Sequence, residues 1–154
     1  MSVEALSVEL IPAFQDNYIY LLREPDSDAV GIVDAGDATP ALERFYRRAA
    51  RTEIASRLDR ATALAGSAYS GLAIRAQRTR WASCSPGGHM SFNWRLLLAP
   101  ERVLEYVVWH EVCHLEILDH SRSFWALLER RWPGYRDDRD WLRRNGATLV
   151  LQPL

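Results

Sequence analysis

Three of the chain's four histidines fall between positions 110 and 120, within the stretch VWHEVCHLEILDHSRSFW, whose other residues are largely those of an apolar helix. Pro100 and Glu101 mark a helix start, and Val103, Leu104, Val107, Val108, Val112 and Leu115 follow at helical spacing. A mostly buried helix cannot carry two neutral imidazoles and a carboxylate cheaply unless each finds a partner. This demand constrains the fold more than any other feature of the chain. His110 and His114, at i and i+4, lie on one face and can share a tetrahedral ion at ~2.0–2.1 Å. Glu111, offset by one position, misses the ion and can hold a water beside it.

A catalytic zinc usually takes a third protein ligand and leaves one position for water. Spacing alone leaves that ligand open. In an unbroken helix His120 would lie about 600° and ~9 Å beyond His114 and face away. It can join only if the helix ends near Leu118, and the Asp119 and Ser121 cap signals are the local sign of such an end. Glu129 is an alternative, as is a site with no third protein ligand. His89 reads as a loop residue, Cys113 as packing, and Trp109, Trp125, Trp132 and Trp141 as core anchors. Tyr135 and Arg95 are candidates for stabilising an oxyanion, although spacing places neither.

Elsewhere, LSVELI, YIYLLR and VGIVDA are rich in β-branched and aromatic residues and are separated by the turn-formers QDN and PDSD, which predicts a small antiparallel sheet. From Pro40 to Ala65 apolar residues recur at helical spacing. The runs LAIRAQRTRWAS and HMSFNWRLLLA, joined by CSPGG, predict a hairpin over 72–99. After the histidine segment, a helix from Ser121 or Ser123 ends at Pro133-Gly134, and YRDDRDWLRRNG forms a last short helix stopped by Gly146.

A net charge of -1 excludes a generally polyanion-coating protein, so the arginine clusters read as solvated faces. Only two cysteines exclude a disulfide framework. The opening residues, broken by Glu4, Glu9 and Pro12, are no signal peptide or membrane span. A cytoplasmic protein is expected.

The segment QRTRWASCSPGGHMSFNWRLLLAP, followed by the H-E-x-x-H helix, x5-His and Phe-Trp, resembles the YgjP-like family of zinc metallopeptidases, relatives of the SprT-like and WLM zincins, over about 45–147. The resemblance implies an α+β, zincin-like fold with a small antiparallel sheet packed on a metal-binding helix and C-terminal helices. It implies one zinc per chain on His110, His114 and His120, catalysis by Glu111, and peptide or protein substrates. Ala82 departs from the family's usual glycine. Residues 1–40, with IPAFQDNYIYLL and IVDAGDATPAL, are instead similar to the start of glyoxalase II, a metallo-β-lactamase-fold thioesterase. That chemistry needs further histidines, and none precedes His89. The expected organisation is a β segment over 1–40 and a peptidase domain over 41–154. The rival readings are a nucleic-acid-associated SprT-like protease or binding module and, behind it, a thioesterase.

Overall fold

The computed structural model describes residues 7–12, 18–23, 30–33, 38–77 and 79–150. The chain divides into two compact units, one of 1–45 with 151–154 and one of 46–150. In the first, β1 (Ser7–Pro12), β2 (Tyr18–Arg23) and β3 (Val30–Val33) form an antiparallel meander, Leu10 opposite Tyr20 and Tyr20 opposite Val33. The turns expected at QDN and PDSD lie outside the described residues. The division falls within helix α1 (Ala38–Ala65).

The second unit is α+β, as the motifs imply. A mixed sheet of β4 (Gly71–Arg75), β5 (Ala82–Cys84) and β6 (His89–Asn93) is followed by a 3-10 turn at Trp94–Leu98. Helices α2 (Glu101–Cys113), α3 (Arg122–Arg131) and α4 (Tyr135–Asn145) come next. Pro100 caps α2 from just outside it, and Ser121 occupies the cap position of α3. Ile54 and Leu58 of α1, Met90 and Phe92 of β6, Val108 and Val112 of α2, and Phe124 and Leu128 of α3 are fully buried. Burying each such side chain stabilises by roughly 1.5–3 kcal/mol.

The hairpin predicted over 72–99 is corrected in two respects. Its first arm is two strands, β4 and β5, on opposite sides of β6. Only β5 pairs antiparallel with β6, through the 85–88 turn in which Gly88 takes φ 75°. β4 runs parallel to β6, so the sheet is mixed rather than antiparallel. β4 ends at Arg75 and β5 begins at Ala82, so the first arm is not one continuous strand. Gly146 stops α4 as expected, directly after Asn145, but with φ -57° it does so without a left-handed turn. It is needed for close approach, since a Cβ there would sit 2.8 Å from the Trp81 ring.

The two sheet edges differ. On β4, the outward carbonyls of Leu72 and Ile74 accept from Arg51 Nη1 at 3.1 Å and Arg47 Nη1 at 3.4 Å, both on α1. On β5, the Trp81 carbonyl accepts from Asn93 N and Ser85 N donates to the His89 carbonyl. In an antiparallel ladder such hydrogen-bonded pairs alternate, so Ser83 faces β6 while the backbone groups of Ala82 and Cys84 face the open edge. β5 packs against α2. Among the described residues no helix is long and apolar enough to cross a membrane.

Candidate metal centre

The last turn of α2 tightens without a glycine. The Glu111 carbonyl accepts from His114 N, Val112 from Leu115 N, and Cys113 from both Glu116 N and Ile117 N. These short-range bonds satisfy the helix's terminal carbonyls while the chain bends away. Asp119 Oδ1 then accepts from Ser121 N at 2.9 Å, and His120 returns towards the helix end.

The result is a triangle of imidazole nitrogens. His114 Nε2 lies 3.2 Å from His110 Nε2 and 3.2 Å from His120 Nε2, and the remaining side is 2.9 Å. His114 Nδ1 donates to the Ile117 carbonyl at 2.9 Å, which leaves Nε2 as a bare lone pair. Three such nitrogens cannot satisfy one another with the hydrogens of neutral rings. Donors around a tetrahedral ion at ~2.0–2.1 Å stand about 3.3–3.4 Å apart, close to the separations seen, so the donor set fits zinc.

Surroundings reinforce the fit. The Phe124 ring lies 4.5–4.9 Å from all three imidazoles and stacks on His114. Trp125 stacks on His120, and Arg139 sits over the far-reaching Trp125 ring at 4.7 Å. Burial, helped by His114, His120 and Arg139, pushes His110 down to about 3, and burial followed by His114 lowers His120. Both rings are therefore neutral near pH 7 and hold lone pairs for a cation. Burial pushes Glu111 up to about 8, and its Oε2 and His110 Nδ1 are buried without hydrogen-bond partners. A nearby divalent cation would favour the carboxylate and oppose that shift.

His110, His114 and His120 are the one group of three potential metal donors among the described residues. Glu129 is not with them; its carboxylate accepts from Arg136 Nη1 at 2.9 Å. His89 begins β6, exposed, rather than lying in the loop. Tyr135 is buried, stacked between Tyr106 and Trp125, while Arg95 lines a cavity that none of the three histidines borders. Two residues escaped the sequence reading. Arg139 bears electrostatically on His110 and His120, and its only sequence sign is its place one turn beyond Tyr135 on α4. Cys84 lies within electrostatic reach of Glu111, which raises its thiol pKa after burial has done so; its place on an edge strand emerges only once β5 is separated from β4.

A small α+β unit that gathers three imidazoles at the end of an H-E-x-x-H helix has the architecture of a metallopeptidase. The chain belongs to the YgjP-like family: the YgjP-like metallopeptidase domain matches residues 8–145, a wider reach than the 45–147 read from the motifs. The fold is similar to the metallopeptidase zymogen abylysin of Pyrococcus abyssi, with TM-score 0.53 and 24% identity over 65% of this chain and 99% of that one. It is also similar to the metallopeptidase zymogen jannalysin of Methanocaldococcus jannaschii, with TM-score 0.51 and 19% identity over 62% and 96%. At these identities the likeness is one of fold. A segment of the chain is 62% identical over 42 residues to the hydroxyacylglutathione hydrolase of Chromohalobacter salexigens, covering 27% of this chain and 16% of that protein. The corresponding enzyme of Aliivibrio fischeri strain MJ11 is 60% identical over 38 residues, 25% of this chain and 15% of that one. The chain thus spans less than a fifth of the length of these curated relatives.

Proposed function

We propose that the protein is a zinc peptidase that holds one ion on His110, His114 and His120 and uses Glu111 as general base. The observation that carries this reading is the convergence of three Nε2 atoms to within 3.2 Å, on a helix whose Glu111 keeps a buried oxygen unpartnered. Zinc bound there would supply Lewis acidity and lower the pKa of water from 15.7 towards ~7. Glu111 would take a proton at its free oxygen and return it to the leaving amine. The Ile117 carbonyl keeps His114 in the tautomer and orientation that presents Nε2.

Substrate would enter as an extended strand against β5. The Arg47 and Arg51 bonds occupy the β4 edge, whereas the Ala82 and Cys84 backbone groups face outward and Cys84 lies near Glu111. Pairing there would fix the scissile carbonyl by backbone hydrogen bonds and leave sequence preference to side-chain pockets. Residues 1–40 are read as a β segment akin to hydroxyacylglutathione hydrolases and 41–154 as the peptidase domain. No thioesterase activity is assigned, since no histidine precedes His89. Two free thiols, Cys84 and Cys113, fit a reducing cytoplasm.

Elemental analysis of the purified protein tests the centre. One zinc per chain is expected in the wild type, and His114→Ala should lose it together with the stability it lends. Full zinc occupancy in His114→Ala would remove the assignment.

A further inference from the structure

A cavity of about 440 Å³ is lined by Arg80, Arg95 and Arg143 with Trp81, Asn93 and Leu142 among its other walls, and by none of the three histidines. No carboxylate lines it. Among the described residues neither Arg80 nor Arg95 has a carboxylate partner, and Arg143 meets only the exposed Asp140 at 3.4 Å. Three guanidiniums around one cavity repel one another unless an anion joins them.

The cavity is also held in shape. Asn93, only 3% exposed, donates from Nδ2 to the Gln77 carbonyl at 2.7 Å and the Arg80 carbonyl at 3.5 Å. Its Oδ1 accepts from Arg95 N at 3.1 Å, and its backbone N donates to the Trp81 carbonyl at 2.7 Å. One buried residue therefore ties the connection carrying Arg80 to the strand end carrying Arg95. The Arg95 guanidinium lies 4.6 Å from the Trp94 ring centroid, a cation–π contact that orients it without neutralising it. The bare Cα of Gly146 lets the far wall close on Trp81.

We propose that this cavity is a specificity subsite that receives an acidic side chain of the peptide substrate. The inference rests on the peptidase reading above. Trp81 immediately precedes Ala82, so a chain paired with Ala82 and Cys84 and continuing past Trp81 meets the three arginines. At ~3.3 Å per residue, Trp81 lies roughly 10 Å along the strand from Cys84, which puts the acid three or four residues from the bond cleaved near Glu111. A cavity with three arginines and the apolar walls Trp81 and Leu142 suits a carboxylate carried on a side chain. A nucleic-acid strand would call for a basic track following its backbone.

The test compares kcat/KM for otherwise identical peptides carrying Asp or Glu, against Asn or Gln, at each position around the cleaved bond. The wild type should favour the acid roughly five- to tenfold at one position three or four residues away, and the advantage should shrink with added salt. In Arg80→Gln, Arg95→Gln, Arg143→Gln combined, the acid-to-amide ratio should fall to near one. The exposed single changes Arg80→Gln and Arg143→Gln should each lower it in part, so that a misfolded triple variant leaves the question decidable. No acid preference in the wild type, or a preference surviving in the folded triple variant, overturns the subsite. If neither acidic nor amide peptides are cleaved, the peptidase reading has failed instead. Calorimetric titration of the acidic and amide peptides into wild-type protein then decides the subsite by itself: tighter acidic binding, lost in the triple variant, supports it, and equal affinities overturn it. An oligonucleotide that binds through these arginines while the acidic peptide does not would also overturn it.

Discussion

The two edges of the mixed sheet share a central strand, β6, and end in opposite ways. The β4 edge has its outward carbonyls taken by Arg51 and Arg47, so another strand finds its acceptors occupied. The β5 edge is three residues long, packs against the helix that carries the histidines, and leaves Ala82 and Cys84 unpaired outward. A bare edge is ordinarily a liability for aggregation, and a short one limits the risk. The contrast teaches that openness has been confined to the strand beside Glu111.

Four measurements would break or sharpen that contrast. The largest effect is expected at the chemistry beside the open edge: Glu111→Gln should keep zinc and lose peptide hydrolysis by about two to four orders of magnitude in kcat. A fully active variant would mean that another base serves the site. Next in size is the seat of the closed edge. Glu105, buried on α2, pairs with Arg57 at 2.5 Å and with Arg60, both on α1, the helix that also carries Arg47 and Arg51. Glu105→Ala removes one of three carboxylates on Arg57, with Glu53 at 2.5 Å and Glu101 at 3.1 Å remaining, and should cost about 1.5–3 kcal/mol in denaturant unfolding. A loss below 1 kcal/mol would show the pair to be incidental.

Smaller effects separate the two faces of β5. Ala82→Pro removes an N–H that points to the open edge, so peptide kcat/KM should fall roughly tenfold while folding and zinc content hold. Ser83→Pro removes an N–H bound to β6 and should lower thermal stability as well. Equal stability losses in both variants would refute the assigned register. The smallest effect belongs to Arg51→Ala, which opens the Leu72 carbonyl at a stability cost of about 0.5–1.5 kcal/mol and leaves cleavage near wild type. A large drop in cleavage there would place substrate on β4.

Sequence periodicity served the helices and the N-terminal meander well, because each is stabilised by local spacing that survives in a single segment. The β4–β6 pairing is parallel and joins residues eighteen apart, Gly71 with His89, so no turn signal announces it. The 72–83 run reads as continuous because no glycine or proline interrupts it, although β4 ends at Arg75 and β5 begins at Ala82. At the centre, His110, Glu111 and His114 stand out by spacing. The return of His120 does not, since α2 ends through backbone hydrogen bonds and the His114–Ile117 contact rather than through glycine or proline. Gly146 does end α4, but its need for a bare Cα is not legible for a related reason: it depends on Trp81, sixty-five residues away.

The three converging nitrogens come from eleven consecutive residues, 110 to 120. Bringing together donors so near in the chain costs little loop entropy, and the cost grows only slowly with separation. An unfolded chain therefore retains part of the trio's grip on an ion, and any such binding subtracts from the stabilisation that the folded state receives. If the site takes zinc as proposed, affinity and thermal protection should part company: tight binding would go with a smaller rise in melting temperature than the dissociation constant alone would give. The same short span makes the three-histidine contact one of low sequence separation. With zinc bound as proposed, that contact would need less chain closure than the parallel pairing of β4 with β6, which joins residues eighteen apart.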